Sequence, residues 1–260
     1  MDIHPTAIVS PKAELASGVK IGPYCVIGEK VIIGKDTLLA SHVVIEGPAT
    51  IGERNVIYQF ASLGTPPQDT GYRGEDTRIV IGNDNEIREY VTINRATSKQ
   101  DWETVVGNNN FLMAAAHVAH DCVVGDHVIL SNAVAVAGHT VVGDHSTFGG
   151  FSATHQYIRI GVHAFIGGKV AVTQDIPPFM MASAGPGGRA KLFGPNQNGL
   201  RHTGFSREVI AGLKKAYKII WRDNRSFKDG VRQAREEIEL FPELNTLLDF
   251  IETSKRGVAR

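Results

Sequence analysis

Only two cysteines occur in 260 residues, too few for a disulfide framework. Neither sign of charge is in excess. Lys plus Arg and Asp plus Glu both total 27, so no whole-chain field directs the protein to nucleic acid or to a membrane surface. No run of about 18 apolar residues exists, which excludes a transmembrane helix. The Met1-Asp-Ile-His-Pro5 start has neither the basic nor the apolar region of a signal peptide, and a cytoplasmic location is expected. A Gly-x-Ser-x-Gly elbow and any Ser-His-Asp spacing are missing, which argues against a covalent hydrolase.

What is present is a beat of six. Aliphatic residues fall at Ile3, Val9, Leu15, Ile21, Ile27, Ile33, Leu39, Ile45, Ile51, Ile57 and Leu63, and resume in phase at Ile81, Ile87 and Ile93. After a one-residue slip the beat runs from Val106 to Val172, with only Phe148 and Thr154 not aliphatic. A hexapeptide repeat marks a parallel β-helix. Three six-residue faces close a triangular turn of 18 residues, so residues 18 apart stack vertically at roughly 4.8 Å. Cys25, Cys122, Val128, Val134, Thr140, Ser146, Ser152 and Ala164 lie four residues after a beat position. They form a second, smaller inward series, which makes both thiols unpaired core residues.

The beat predicts a solenoid of about ten turns over residues 1–176, interrupted by polar, Gly/Pro-containing excursions at 64–80 and 94–105. Such interruptions commonly carry function. Residues 177–204, rich in Pro and Gly, read as a linker, ordered or mobile, that ends the stack. Residues 205–260 read as a bundle of three helices: Ser206 and Ser226 are N-caps, Ile210, Leu213, Tyr217 and Ile220 form a stripe, and Pro242 sits in a first turn. The bundle is expected to cover the end of the solenoid or to pack beside a neighbouring subunit. The fold class is thus mainly β, with a small C-terminal α-helical domain.

Seven of the ten histidines fall between residues 117 and 163. The 18-residue period puts His120, Gly138 and Gln156 in one column, with Asp121, His139 and Tyr157 in the next. His120 and Asp121 are expected at a corner, facing outward. An imidazole beside a carboxylate, with a side-chain-free amide one turn above, suits acyl transfer to a hydroxyl or amine. The imidazole takes the acceptor's proton, the carboxylate steadies the imidazolium, and the glycine N–H donates to the developing oxyanion. No cofactor is expected. His127, His145 and His163 are also 18 apart and form a second ladder. A trimeric zinc enzyme resembling the gamma-class carbonic anhydrases is the reading that ladder keeps open.

At Ala116-His-Val-Ala-His-Asp-Cys122, Val136-Ala-Gly-His139 and Thr154-His-Gln156, the chain resembles the UDP-N-acetylglucosamine O-acyltransferases. Further support comes from Ile57-Tyr-Gln-Phe-Ala-Ser-Leu-Gly64, Gln174-Asp-Ile-Pro-Pro178 and Gly204-Phe-Ser-Arg207, so the likeness covers essentially the whole chain. The resemblance implies left-handed winding, a homotrimer, and transfer of a 3-hydroxyacyl chain from acyl carrier protein to the 3-position of UDP-N-acetylglucosamine, the first step of lipid A synthesis. It implies His120 as general base, Asp121 as its orienting carboxylate and Gly138 as oxyanion donor. His117, His139, His155 and Gln156 would line the site, and Asp69 would hold the sugar. Asn196 would reach the nucleotide from a neighbouring subunit, and Gly168 would set acyl length.

Three departures bear on the acceptor. Gly71 stands where the family often has Lys, leaving Arg73 as the nearest cation in sequence. Asn94 stands where the family has His. His202-Thr203 replaces an Arg-Arg pair expected to clamp the diphosphate, with Arg201 adjacent. A 3-amino UDP-sugar acceptor and an acetyl-CoA donor therefore remain open as alternatives. Arg201, Arg207, Lys214, Lys215 and Lys218 would offer the acidic carrier a basic face, or form an ordinary solvated one.

Overall fold

The computed structural model describes residues 2–223 and 226–260. Short strands recur along the chain and pair in parallel with the strand one turn away: His117 with Ala135, Val118 with Val136, and Ala135 with Ala153. Among the described residues they form three sheets. The first holds nine strands from Asp2–Ile3 to Phe165–Ile166, the second nine from Ile8–Val9 to Ala171–Val172, and the third eight from Glu14–Leu15 to Arg159–Ile160. The stack is about a turn shorter than the expected ten, because the excursions consume residues without adding rungs.

Every beat residue from Ile21 to Ile93 and from Val106 to Val172 is buried, and Phe148 is the largest fully buried side chain. Both cysteines are buried and unpaired, and burial pushes the Cys122 thiol up to about 12. Thr154 breaks the apolar beat for a reason: its Oγ1 accepts the Ala137 N–H at 2.9 Å, bracing the backbone beside Gly138. A buried amide column unforeseen in the sequence, Asn55, Asn85 and Asn110, links successive rungs through Asn Oδ1 atoms that accept backbone N–H groups.

Each corner is turned by a residue in the left-handed region that is mostly not glycine. Tyr24, His42, Phe60 and Tyr90 turn the corner from first to second sheet; Asp121, His139 and Tyr157 turn that from second to third; His127, His145 and His163 turn that from third to first. The conformation costs about 1 kcal/mol or more per residue. Backbone bonds between rungs offset it, as where His139 N–H donates to His120 O and Tyr157 N–H to Gly138 O, each at 3.1 Å.

Within residues 177–204 the chain forms two strands and a short helix. Met180–Ala184 extends the first sheet by pairing in parallel with Phe165–Ile166, and Ala190–Pro195 returns antiparallel to it. Helix α1 (Gln197–His202) follows. The glycines and prolines serve the hairpin bend around Pro186–Gly188 rather than a free connection. Helices α2 (Arg207–Tyr217), α3 (Phe227–Glu237) and α4 (Pro242–Glu252) form the bundle, with a π-helical turn at Lys218–Arg222. Ser206 Oγ accepts the Val209 N–H and Ser226 Oγ the Asp229 N–H, so both expected caps are made.

The tail ties the bundle to the top of the prism. Asp175 is buried and accepts from Arg159 and from Ser254 Oγ–H, and Arg159 lies 4.3 Å over the Phe250 ring. Among the described residues no helix is long and apolar enough to cross a membrane.

Candidate active site

Both excursions leave the prism at the corner between second and third sheets. The first departs after Ser62–Thr65 and rejoins at Arg78–Ile81; the second departs after Thr92–Asn94 and rejoins at Glu103–Val106. Both are narrower than the interrupted beat suggested, because Arg78–Ile81 and Glu103–Val106 pair with each other over four residues. The next three rungs at the same corner carry His120, Gly138 and Gln156. The column inferred from the period is therefore real and stands directly above the two excursions.

His120 Nδ1–H donates to Asp121 Oδ2 at 2.7 Å, which leaves Nε2 with a free lone pair. At this corner both side chains are covered, His120 being 5 % and Asp121 1 % exposed. The second excursion folds over them. Thr97 donates its N–H (3.1 Å) and its hydroxyl (2.7 Å) to the Asp121 carboxylate. Burial alone would raise the Asp121 carboxyl, but the His120 and Thr97 hydrogen bonds outweigh it and hold it below the ordinary carboxylate range.

Gly138 lies against the His120 ring. A Cβ at position 138 would stand 2.6 Å from His120 Cε1 and 2.8 Å from Nε2, so only a bare backbone fits. Among the described residues the Gly138 N–H has no hydrogen-bond acceptor. A base and an amide donor without an acceptor thus lie one rung apart in the same column.

Around them, His139 Nδ1 contacts Gln100 Oε1 at 3.0 Å, and its ring stacks on Tyr157 at 4.3 Å. Burial lowers the His139 imidazole, and burial with the neighbouring His120 lowers His117, whose Nδ1 meets Thr92 Oγ1 at 2.7 Å. Asp69 accepts from the Gly71 N–H and from Lys99 Nζ, and both bonds lower its carboxyl, the lysine foremost. Arg73, the cation nearest in sequence, turns back onto the carbonyls of Thr70 and Tyr72. Asn94 is buried, and its amide donates to Thr65 Oγ1 and Pro66 O, bracing the first excursion.

His155 and Gln156 are exposed one rung above Gly138, where Arg256 reaches both from the tail: its Nη2 lies 2.7 Å from His155 Nδ1 and donates to Gln156 O at 2.7 Å. Sequence reasoning missed Thr97, Lys99, Gln100 and Arg256, because none sits on the repeat.

The remaining candidates lie elsewhere on the chain. Gly168 is at the corner between first and second sheets, where a Cβ would meet Gly150 O at 3.2 Å. Asn196 caps α1 and donates to His163 O, which puts it at the third corner; Arg201 and His202 are in that same helix. Arg201, Phe205 and Arg207 line a cavity of about 450 Å³ there. Lys214, Lys215 and Lys218 are exposed on or just beyond α2, with Lys215 Nζ donating to Glu237 O.

The second histidine ladder is a stack. Neighbouring rings of His127, His145 and His163 are 4.6 Å apart and within 8° of parallel, so their lone pairs point side by side instead of converging on one ion. Among the described residues the only group of His, Cys, Asp or Glu atoms tight enough for a metal is His120–Asp121–His139. Within it only His120 and Asp121 are hydrogen-bonded; His139 Nε2 stands 3.7 Å from Asp121 Oδ2, and its Nδ1 contacts Gln100.

Residues 175–259 match the family described as UDP N-acetylglucosamine O-acyltransferase, domain 2, and residues 103–138 match the bacterial transferase hexapeptide family. A Thermodesulfovibrio yellowstonii relative named acyl-[acyl-carrier-protein]–UDP-N-acetylglucosamine O-acyltransferase is 51 % identical over 259 residues, covering 100 % of this chain and 99 % of its own. The chain belongs to the UDP-N-acetylglucosamine O-acyltransferase family. Solved structures of its members superpose closely. LpxA from Acinetobacter baumannii gives a TM-score of 0.95 at 45 % identity over 99 % of both chains. LpxA from Bacteroides fragilis, a UDP-N-acetylglucosamine acyltransferase, gives 0.96 at 36 % identity over 99 % of this chain and 100 % of its own. The prism is accordingly the family's left-handed parallel β-helix.

Proposed function

We propose that this protein transfers a 3-hydroxyacyl chain from acyl carrier protein to the 3-hydroxyl of UDP-N-acetylglucosamine, the opening acylation of lipid A synthesis, in the cytoplasm. The observation that carries the chemistry is the His120 imidazole, its Nδ1 held by Asp121, packed beneath the side-chain-free Gly138 amide. His120 Nε2 accepts the sugar hydroxyl's proton as that oxygen attacks the thioester carbonyl. The Gly138 N–H donates to the oxyanion, and Asp121 steadies the imidazolium. On collapse the C–S bond breaks, the new ester forms, and the imidazolium returns the proton to the departing carrier thiolate. The relatives' names favour the carrier thioester and UDP-N-acetylglucosamine over acetyl-CoA or a 3-amino sugar.

The acting form is a homotrimer. On one chain the His120 corner is separated from Gly168 and from the Asn196–Arg201–His202 corner, so a complete cleft needs a neighbouring copy to bring those residues to His120. His155 and Gln156 line the site above Gly138, with His117 and His139 beside the base. Asp69 accepts from the sugar, and Gly168, bare of a side chain, admits a long acyl chain. Asn94 acts as a brace for the first excursion.

His120→Ala is expected to abolish turnover with 3-hydroxyacyl carrier protein and UDP-N-acetylglucosamine while the far-ultraviolet circular dichroism stays unchanged. Near-normal turnover in that variant would remove the base assignment.

A further inference from the structure

Four consecutive side chains of the second excursion, residues 97–100, each grip a different group at the His120 corner. Thr97 holds the Asp121 carboxylate, Ser98 Oγ donates to Glu75 Oε1 at 3.3 Å, Lys99 Nζ donates to Asp69 Oδ2, and Gln100 meets His139. Asp69 and Glu75 belong to the first excursion, so the second one latches it to the buried pair. Within this latch, Lys99 has capacity to spare. An ammonium carries three donors, of which one goes to Asp69, and 51 % of the lysine side chain remains exposed, against 15 % of the aspartate's. The Asp69 hydrogen bond raises the Lys99 ammonium, with smaller contributions from exposed Tyr157 and buried Asp121.

No side chain of the first excursion supplies a cation at this point. Position 71 is glycine, whose Cβ would stand 3.0 Å from Asp69 Oδ1 and 3.6 Å from Lys99 Nζ, and Arg73 is turned away. Both excursions leave the prism on the rungs below His120, and the second rises over it as far as His139, beside Gly138. Lys99 is tied to Asp69 while its neighbours Thr97 and Gln100 hold Asp121 and His139, which puts the Asp69–Lys99 pair beside the base that takes the acceptor's proton.

We propose that Lys99 is a specificity-determining residue for the acceptor. Its ammonium, oriented by Asp69, donates to an oxygen of the nucleotide sugar while Asp69 accepts from a sugar hydroxyl. The assignment rests on the acyl-transfer reading above. It is tested by steady-state kinetics of the full-length enzyme with UDP-N-acetylglucosamine and 3-hydroxyacyl carrier protein varied independently.

Lys99→Met is expected to raise KM for UDP-N-acetylglucosamine about 10- to 100-fold, the loss of one charge-assisted hydrogen bond, with KM for the acyl carrier unchanged. Lys99→Arg should recover part of that loss. Asp69→Asn combined with Lys99→Met should cost less than the sum of the single changes, as contacting residues do. An unchanged acceptor KM in Lys99→Met, or equal rises in both KM values, overturns the assignment. Wild-type turnover in the same assay reports on the acyl-transfer reading separately, so the two failures are distinguishable.

Discussion

At the scale of the residue, Gly138 and Thr97 make the sharpest claims. Gly138→Ala would drive a methyl group into the His120 ring, at 2.6 Å from Cε1. The ring must swing away and the amide donor moves with the backbone. A fall of roughly a hundredfold or more in kcat is expected, in the range for removal of an oxyanion donor, with the melting temperature little altered. Thr97→Val keeps the N–H donor to Asp121 but loses the hydroxyl at 2.7 Å. The Asp121 carboxyl then rises, and kcat should fall about tenfold because the imidazole is less firmly held.

The same substitution has a stability signature. The folded-state carboxyl is held low, so its contribution is present above the ordinary carboxylate range and is lost as pH falls through the folded value. Acid unfolding followed by circular dichroism should begin at higher pH in Thr97→Val than in the wild type. His120 and Gly138 were legible from sequence because the 18-residue period stacks them. Thr97 and Lys99 were not, because an excursion carries no period and its side-chain directions follow only from the folded loop.

At the scale of the element, the third corner invites a pH experiment. Burial, aided by the adjacent His145, pushes His163 down to about 4, against the weaker opposite pull of Asp144. Its ring is stacked on His145 and packed edge-on against Phe205. A depressed histidine favours the fold in its neutral form. Its contribution is complete above about pH 6.5 and is lost as pH falls toward 4. At about 1.4 kcal/mol per pKa unit, that loss approaches 3 kcal/mol, reduced by the partial exposure of the ring. His163→Phe should flatten the fall of melting temperature between pH 6.5 and 4; a slope equal to wild type would show that the ladder is not its source.

The hairpin at Met180–Pro195 shows what reading by element left undecided. Its Pro and Gly content resembles a linker, yet it carries two strands: Met180–Ala184 pairs with Phe165–Ile166, the last rung of the first sheet, and Ala190–Pro195 pairs back onto Met180–Ala184. Strand identity there depends on a tertiary edge, which local composition cannot report.

At the scale of the whole molecule, the beat alone yielded three faces, the inward residues and the corner columns. It did so because a solenoid repeats one local rule and each turn touches only its neighbours. It could not yield how the bundle is fastened, since that rests on single long-range contacts. Asp175 is the chief of these, buried between Arg159 and Ser254. Asp175→Ala leaves a partly covered guanidinium without its carboxylate and is expected to lower stability by about 3 kcal/mol, measurable by urea unfolding. The proposed trimer belongs to this scale as well. Light scattering should return three chain masses, and co-expressing His120→Ala with Asn196→Ala should restore some turnover, because mixed trimers pair an intact base from one copy with an intact Asn196 from another. Complete inactivity in mixtures whose partners demonstrably exchange would place both residues in the same chain's site.

The left-handed corner residues carry a wider consequence. Since Tyr24, Asp121, His145 and their stacked neighbours adopt that backbone without needing glycine, aromatic, acidic, basic and amide side chains can each occupy a vertex while the aliphatic interior stays constant. The vertices act as three vertical rails on which functional groups can be mounted at fixed spacing, one notch per 18 residues. An engineer seeking a different reaction on this framework would rewrite one rail and leave the flat walls untouched.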